Sequence, residues 1–416
     1  MVISSTLHKL EVNGDRLHNK INELAKIGLQ PNGAIRRLAF SPEDIQARDL
    51  VQHWMLEAGM KVRTDAAGNL IGIYPGLIEN APTLATGSHI DTVPSGGRFD
   101  GALGVLAGIE IVQTLRDNNT LLNHPIEVIV FADEESTMIG CQAIAGTVLL
   151  DAPERYQTKV GESIQACLEK IGGNWQDLIT AKRSRGDMSA FVELHVEQGM
   201  VLERMSKEIG IVEGVVGMRR MAITITGQSN HAGTTPMDMR QDALIAAAKL
   251  VLAVQEIALG IPSQPVATVG YLNVVPNAVN IIPGLVELSV DMRDLSLGCL
   301  DEMQQRLERV VIEIAEQTDT QISMKPLLCV EPTPAADTVQ MAIEIICQEM
   351  GLSYCHLPSR AGHDALEVGR ITDMGMIFVP SQAGVSHSEN EYSTPEQCTQ
   401  GVNVLLNTFI QLDKHK

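Results

Sequence analysis

Three histidines and several acidic residues lie where short apolar segments of this sequence end, or in a glycine-rich turn. They are His89, Asp91, Asp100, Asp133, Glu134, Glu135, His195 and His387. Imidazole and carboxylate together are ligands that suit zinc or manganese. Five such groups could hold two divalent ions with one carboxylate shared, and two ions can activate a water molecule and polarise a carbonyl. The residue types therefore indicate hydrolytic metal chemistry.

Neighbouring residues in this set need not do the same work. His89 and Asp91 alternate along one strand, so the Asp91 carboxylate is expected to accept the second imidazole N–H and orient His89 toward a metal. Glu134 and Glu135 are adjacent, so one can bind metal while the other carries a proton from water to the leaving nitrogen.

Each candidate also has a simpler explanation when it is taken alone. A histidine at a strand end is usually a satisfied polar residue, and adjacent acidic residues usually form a solvated loop. Asp100 between glycines is typical of an ordinary turn. The argument for a site is that every candidate lies at a strand end or in a glycine-rich loop, on the side where open α/β sheets bind ligands.

The segments around these residues predict one α/β sheet. SPEDIQARDLVQHWMLEAGM predicts a helix capped by Ser41, and DGALGVLAGIEIVQTLRD predicts a second, buried helix. Strands are predicted at 70–74, 83–88, 126–132 and 191–199. Strands and helices with apolar centres in this order are typical of a sheet covered on both faces.

The middle of the chain follows another pattern, typical of a smaller inserted domain. Strands are predicted at 221–226, 266–274, 285–292 and 321–327, and helices at 242–259 and 300–317. The order β-α-β-β-α-β is that of the split ferredoxin-like unit. We therefore predict a catalytic domain formed by 1–213 plus 329–416, and an insert formed by 214–328.

The composition restricts the possible partners and location. Among 416 residues, 51 acidic and 31 basic side chains give a net charge of −20, which repels nucleic acids and anionic membranes. No run approaches the ~20 apolar residues of a membrane-spanning helix. The seven cysteines are scattered singly and the N-terminus lacks an apolar targeting segment, so we expect a reducing, cytoplasmic location.

Taken together, the motifs resemble those of one known family. GSHIDTVPSGGRFDGALGVLAG, ADEES, FVELHVEQG, SNHAGTTPM, NIIPG, DMRDL, AGHDA and MIFVPSQAGVSHSE occur in the order typical of the N-carbamoyl-L-amino-acid hydrolase and allantoate amidohydrolase family. That family belongs to the aminoacylase-like co-catalytic metallopeptidase clan, and the resemblance covers nearly the whole chain. It implies a mixed-sheet catalytic domain of zinc-peptidase type with a ferredoxin-like insert that serves as lid and dimerisation domain.

The resemblance also implies a role for each candidate in the catalytic domain. The ligands of two divalent ions, Zn²⁺ or Mn²⁺, would be His89, Asp100, Glu135, His195 and His387. Asp100 would bridge the ions, with His89 and His195 on one of them. Glu134 would be the general base, and Asp91 would orient His89.

On the substrate side, the resemblance implies contacts from Gln198, His231, Asn280 and Arg293. In relatives, the histidine matching His231 reaches the active site of a partner subunit and supports the oxyanion, which implies a homodimer. Asn280 and Arg293 would hold the substrate carboxylate, and Gln198 its ureido or carboxylate end. Simpler alternatives are pairing of Arg293 with Asp291 or Asp294, a turn position for Asn280 and a loop cap for His231.

Two features depart from the family pattern. The segment ADEESTMIGCQAIAG is shorter than the GSRF-type segment of many relatives and lacks its arginine and phenylalanine. Arg360 in SRAGHDA stands where a small residue is common. We expect the first feature to shape the substrate pocket and the second to favour a more acidic substrate.

These observations predict hydrolysis of the ureido C–N bond of a linear N-carbamoyl or ureido acid, of the N-carbamoyl-L-amino acid type, with allantoate as the alternative substrate. A dipeptidase or aminoacylase of the same clan is a rival, which SNHAGTTPM, NIIPG and DMRDL disfavour. A non-catalytic binding protein is a second rival, which the complete ligand set and Glu134 disfavour.

Overall fold

Apolar segments bounded by caps and turn residues give the chain an α/β structure. The computed structural model describes residues 10–414, and residues 1–9 and 415–416 lie outside the described residues. Part of the N-terminal segment predicted to lack a targeting sequence therefore lies outside them. The strands are β1 Lys61–Thr64, β2 Leu70–Tyr74, β3 Thr83–His89, β4 Ile126–Phe131, β5 Met188–Val196, β6 Ile209–Val215, β7 Gly217–Thr226, β8 Asn230–His231, β9 Val266–Val275, β10 Ile281–Ile282, β11 Leu285–Asp294, β12 Gln321–Val330, β13 Thr333–Pro334, β14 Tyr354–Ser359 and β15 Met374–Val379. The helices are α1 Gly14–Leu24, α2 Pro42–Glu57, α3 Ala102–Asp117, α4 Ile139–Ala145, α5 Ile164–Lys170, α6 Val201–Met205, α7 Ala243–Leu259, α8 Leu297–Thr318, α9 Asp337–Met350, α10 Asp364–Val368 and α11 Pro395–Leu412.

The larger unit is built on one mixed sheet, which confirms the predicted fold class. Its strands run in the order β1-β2-β4-β3-β5-β15-β6-β13, and β14 pairs with β6. The four central strands β4, β3, β5 and β15 are parallel. The flanking strands β2 and β6 are antiparallel to them. Parallel strands are buried on both faces, which explains why IEVIVF in β4 is buried throughout and is apolar except at Glu127.

Local signals in the sequence set where the elements begin and end. The Ser41 side chain accepts the Asp44 N–H at the start of α2, as predicted, and Pro42 occupies the first turn. Gly59 follows the end of the helix with a φ of +89°, a conformation that glycine adopts freely. Among the described residues, no helix has the length and apolar character needed to cross a membrane.

The smaller unit has a sheet and a core of its own. It spans Val215–Thr333, whereas 214–328 was predicted, because β12 continues to Val330 beyond the expected strand end. Its long strands form an antiparallel sheet in the order β12-β7-β11-β9, and α7 and α8 contribute to its hydrophobic core. Along the chain the long elements follow the order β-α-β-β-α-β.

Four neighbouring parallel strands of the larger unit position the candidate residues. β3 ends at His89, β5 carries His195, and the loop after β4 carries Glu134 and Glu135. The segment after β15 leads to His387. Because carboxyl ends of parallel strands lie at one edge of the sheet, residues distant in the sequence meet there.

Candidate metal centre

The two buried histidines, His89 and His195, both direct the ring nitrogen Nε2 toward the Asp100 carboxylate. Nδ1 of His195 lies 2.8 Å from the Val196 carbonyl oxygen, and Nδ1 of His89 lies 3.0 Å from the Asp91 carbonyl oxygen. A carbonyl only accepts, so each Nδ1 carries a proton, and in the neutral imidazole each Nε2 presents a lone pair. This arrangement is typical of metal-binding histidines.

The partner of His89 differs from the one expected. The Asp91 carboxylate oxygen Oδ1 lies 3.8 Å from Nδ1 of His89, beyond hydrogen-bond distance, while the Asp91 backbone carbonyl makes the contact. The other carboxylate oxygen accepts the Glu135 backbone N–H at 3.2 Å. The expectation was wrong in this detail because the strand ends at His89, so the alternation of side chains does not continue to Asp91.

Asp100 lies at the centre of the cluster. Its Oδ1 is 3.1 Å from Nε2 of His195 and 3.7 Å from Nε2 of His89. Its Oδ2 is 3.1 Å from Nε2 of His387. Gln198 Nε2 donates to the same oxygen at 3.0 Å. Asp100 therefore contacts ligand candidates from three different segments, as a bridging carboxylate would.

The glycine that follows Asp100 allows this close packing. Gly101 has a φ of +64°, and a Cβ built on it would lie 2.5 Å from Cε1 of the His89 ring. The N–H groups of Phe99 and Asp100 both donate to Oε1 of Glu391 at 3.0 Å. Backbone conformation and one distant carboxylate thus fix the turn.

The adjacent glutamates face different histidines. Oε2 of Glu134 lies 3.6 Å from Nε2 of His89, and Oε1 of Glu135 lies 3.5 Å from Nε2 of His387. Their loop is closed by a 2.7 Å hydrogen bond from the Met138 N–H to the Asp133 carbonyl. This closed loop holds the two acidic side chains within the cluster.

Three overlapping groups of the expected residues could each hold a cation, because their ligand atoms lie within 4.8 Å of one another. They are His89–Asp100–His195, His89–Glu134–Glu135 and Asp100–Glu135–His387. A further group, Glu193–His195–His363, includes Glu193 and His363, which were not among the predicted ligands. The first and third groups are those implied for two ions bridged by Asp100.

The electrostatics of the cluster suit a divalent cation. Burial raises the pKa of Glu134 well above its usual value, and the nearby Asp364 and Glu135 carboxyl groups add to the shift. Burial likewise raises the pKa of Glu135 to about 7. Several acidic groups crowded in a buried place repel one another, and a cation relieves that repulsion. Together with the two aligned imidazole lone pairs, this donor set fits zinc or manganese.

The same cluster holds protons tightly when it contains only protein groups. Burial opposes the charge on His195, yet the hydrogen bond to Asp100 raises its pKa to about 9. The hydrogen bond to Asp100 also raises the pKa of His387 to about 9. Burial opposes ionisation of Asp100, but these histidines hold its pKa well below the usual value. A metal would therefore compete with protons for the imidazoles.

A cavity of ≈ 220 Å³ opens onto the cluster. Besides the metal-ligand candidates and Glu134, the residues that line it are Ser136, Met138, Gln198, Ala361, Gly362 and His363. Gln198 has a φ of 57° and a buried side-chain oxygen without a hydrogen-bond partner among the described residues. Arg360 is exposed and is not among these described lining residues, so the cavity does not support the expected acidic substrate.

The other three substrate-site candidates belong to the smaller unit. Nδ1 of the exposed His231 accepts the N–H groups of Gly233 and Thr234 at 3.0 and 3.2 Å, which places the ring proton on Nε2 as a donor. Asn280 is exposed, and its backbone carbonyl accepts the Ala232 N–H at 2.9 Å. Thus His231 has the hydrogen-bonding character that an oxyanion contact requires.

Arg293 has a carboxylate partner within its own unit. Its Nε lies 2.8 Å from Oδ1 of Asp291, which is one of the simpler alternatives considered for this residue. Arg220 pairs with the other oxygen of the same carboxylate at 2.7 Å. Asp291 thus holds two guanidinium groups on one side of the smaller sheet.

Several residues of the site were not singled out from the sequence. Glu193 accepts from the Ser88 hydroxyl at 2.8 Å and from the Ala365 N–H at 3.0 Å. The His363 ring lies 4.5 Å from the His195 ring between centroids. Glu193 could have been found from its spacing, because it precedes His195 by two residues on the same strand face. Glu391 carried no such local signal.

A mixed α/β sheet with imidazole and carboxylate groups at the carboxyl ends of its parallel strands defines a metal-dependent hydrolase. A family model described as Peptidase family M20/M25/M40 matches residues 85–411, and the chain belongs to this family.

Similar proteins match the chain over nearly its full length. The N-carbamoyl-L-amino acid amidohydrolase of Geobacillus stearothermophilus is 41% identical, over 96% of this chain and 99% of the relative. The allantoate amidohydrolase of Bacillus subtilis (strain 168) is 32% identical, over 94% of this chain and 96% of the relative. A crystal structure of an amidase of the hydantoinase/carbamoylase family from Burkholderia multivorans superposes with a TM-score of 0.91 at 36% identity, covering 97% of this chain and 98% of that chain. These findings confirm the family resemblance.

Proposed function

We propose that this protein is a metal-dependent amidohydrolase that cleaves the ureido C–N bond of small N-carbamoyl-L-amino acids. The observation that carries the proposal is the cluster around Asp100, in which three histidines and Glu135 surround one carboxylate beside a partly buried second glutamate, Glu134. The 41% identity to an N-carbamoyl-L-amino acid amidohydrolase supports the choice of substrate.

Two divalent ions, zinc or manganese, would bind in the cluster. His89, Asp100 and His195 would hold one ion, and Asp100, Glu135 and His387 the other. When bound, the ions would acidify the attacking water and polarise the ureido carbonyl.

Glu134 would carry the proton during the reaction. Its carboxylate would take a proton from the attacking water and deliver it to the leaving nitrogen. Burial favours the protonated form of Glu134, so the acid formed in the first step is stable enough to serve in the second. Cleavage would release the amino acid and carbamic acid. The carbamic acid would decompose to ammonia and carbon dioxide.

The smaller unit would supply the remaining contacts. The Nε2–H of His231 would donate to the oxyanion that forms at the carbonyl. Asn280 and Arg293 would hold the substrate carboxylate, and the free oxygen of Gln198 would accept an N–H of the ureido group. For Arg293 this role requires that its pairing with Asp291 be shared or exchanged. His231 would act on the active site of a partner subunit in a homodimer, which light scattering would detect as twice the chain mass.

Allantoate is the alternative substrate, because an allantoate amidohydrolase is 32% identical to this chain. The test is hydrolysis by the protein supplied with zinc or manganese, followed as ammonia release from N-carbamoyl amino acids and allantoate and as amino acid release from dipeptides and N-acetyl amino acids. The panel should contain N-carbamoyl amino acids, allantoate, dipeptides and N-acetyl amino acids. We expect turnover of N-carbamoyl amino acids. Turnover of dipeptides or N-acetyl amino acids alone would contradict the proposal, and no turnover by metal-loaded protein would favour a binding protein.

A further inference from the structure

The loop between β4 and α4 is bracketed by two residues with left-handed backbone. Asp133 and Met138 both have a φ of 56°. The hydrogen bond from the Met138 N–H to the Asp133 carbonyl, at 2.7 Å, closes the loop between them. The Thr137 hydroxyl donates to the Asp133 carboxylate at 2.5 Å. The loop therefore holds one defined shape around Glu134 and Glu135.

Methionine is an unusual choice for the last position of this loop. Aspartate tolerates left-handed backbone better than most residues, but an apolar side chain is disfavoured there and glycine would be the least strained residue. The Met138 carbonyl accepts the Gln142 N–H at 3.1 Å and the Cys141 thiol at 3.3 Å, contacts that any residue type would make through its backbone. The backbone contacts at this position therefore do not explain why a methionine side chain is present.

Met138 lines the catalytic cavity. Of the described residues that line this cavity, only Met138 has a long apolar side chain. Two other lining residues, Ala361 and Gly362, are small. The hydroxyl of a third, Ser136, already donates to the Gln157 carbonyl at 3.3 Å. The metal-ligand candidates that line the cavity contribute imidazole and carboxylate groups. Among the described lining residues, Met138 is thus the main apolar group.

We propose that Met138 determines specificity by contacting the substituent on the substrate α-carbon, so that N-carbamoyl amino acids with linear aliphatic side chains are preferred. This inference rests on the proposed function. The ureido and carboxylate groups need polar partners, so Met138 remains as the apolar contact for the substituent. The second ureido group of allantoate would lose hydrogen bonds to water against a thioether, whereas an alkyl chain would gain apolar contact.

The test compares kcat/KM for N-carbamoylnorleucine, N-carbamoylglycine and allantoate in the metal-loaded full chain. Three variants separate the possible roles of the side chain. Met138→Leu keeps an apolar side chain, Met138→Gln keeps its length but adds polar atoms, and Met138→Gly removes it while relieving the backbone. Met341→Gln is the matched control, because Met341 is 59% exposed on α9.

The wild type is expected to prefer the norleucine derivative over both other substrates. Met138→Gln and Met138→Gly should lower the norleucine-to-glycine ratio of kcat/KM by at least about 10-fold, whereas Met138→Leu and Met341→Gln should change it less than about 3-fold. The Tm of Met138→Gly should stay within a few degrees of wild type, because relief of strain offsets lost contacts.

Three results would overturn the inference. If the wild type preferred allantoate, the substituent would be recognised by polar groups and not by the apolar Met138 side chain. An unchanged ratio in both Met138→Gln and Met138→Gly would show that the side chain does not contact the substituent. A large fall in the Tm of Met138→Gly with an unchanged ratio would assign it a structural role. If the wild type hydrolysed none of the three substrates, the proposed function itself would fail, which is a distinguishable outcome.

Discussion

Raising the pH from 7 to 8 is expected to strengthen binding of zinc to the metal-free protein by between about 10- and 100-fold. Asp100 holds the pKa values of His195 and His387 at about 9, so both imidazoles are protonated at pH 7. A metal binds only the neutral imidazole, so each proton must leave. Affinity therefore rises tenfold per pH unit for each proton displaced, until the pH reaches about 9.

The magnitude follows from the same values. Removing a proton at pH 7 from a group with a pKa of about 9 costs about 2.7 kcal/mol. This full cost applies to His195, whose side chain is 1% exposed. The His387 side chain is 49% exposed, so solvent screens its interaction with Asp100 and its contribution is smaller. Displacement of the His195 proton alone gives the lower limit of the change in zinc affinity. Displacement of one proton from each of the two histidines gives the upper limit.

Isothermal titration calorimetry in buffers of different ionisation enthalpy counts the protons released, with a chelator controlling free zinc. We expect between one and two protons per chain from the two histidines at pH 7, plus a fraction from Glu135, whose pKa is about 7. His53→Gln, which changes a largely exposed histidine on α2, should leave this number unchanged. Release of less than half a proton, with equal affinity at pH 7 and 8, would refute the reasoning.

Three substitutions test other parts of the site. Glu134→Gln should lower kcat at least about 100-fold while bound metal is unchanged by elemental analysis, and unchanged activity would exclude the proposed proton transfer. Gly101→Ala should reduce metal content while far-UV circular dichroism stays native, because its Cβ would lie 2.5 Å from the His89 ring; full metal content would contradict this. Arg37→Met should lower the free energy of unfolding in urea by about 3 kcal/mol, because the buried guanidinium donates to the carbonyls of Ile90 and Ile27 at 2.6 and 2.9 Å. The exposed Arg36→Met should change it by less than about 0.5 kcal/mol, and equal effects would argue against the buried network.

The sequence predicts those parts of the site that depend on local patterns. Strand ends could be placed because apolar runs stop at His89 and before Glu134, and the Ser41 cap marks where α2 begins. The mixed sheet and the family also follow from the order of motifs. In these regions, each residue's role is linked to neighbours a few positions away in the chain.

The parts that were missed depend on contacts between distant segments. Glu391 fixes the turn at Asp100 across 291 residues, and no pattern near either residue indicates the pairing. The Asp91 carboxylate binds the Glu135 N–H in place of the His89 ring because the backbone bends where the strand ends, a geometry that alternation alone does not describe. Such contacts are determined by tertiary packing, whose geometry local sequence periodicity does not specify.

The central claim is that the cluster around Asp100 binds two catalytic cations. The most direct measurement is a titration of zinc or manganese into chelator-stripped protein while amino acid release from an N-carbamoyl amino acid is followed. We predict no activity without metal and full activity at two ions per chain. Full activity of protein that contains no metal by elemental analysis would contradict the account.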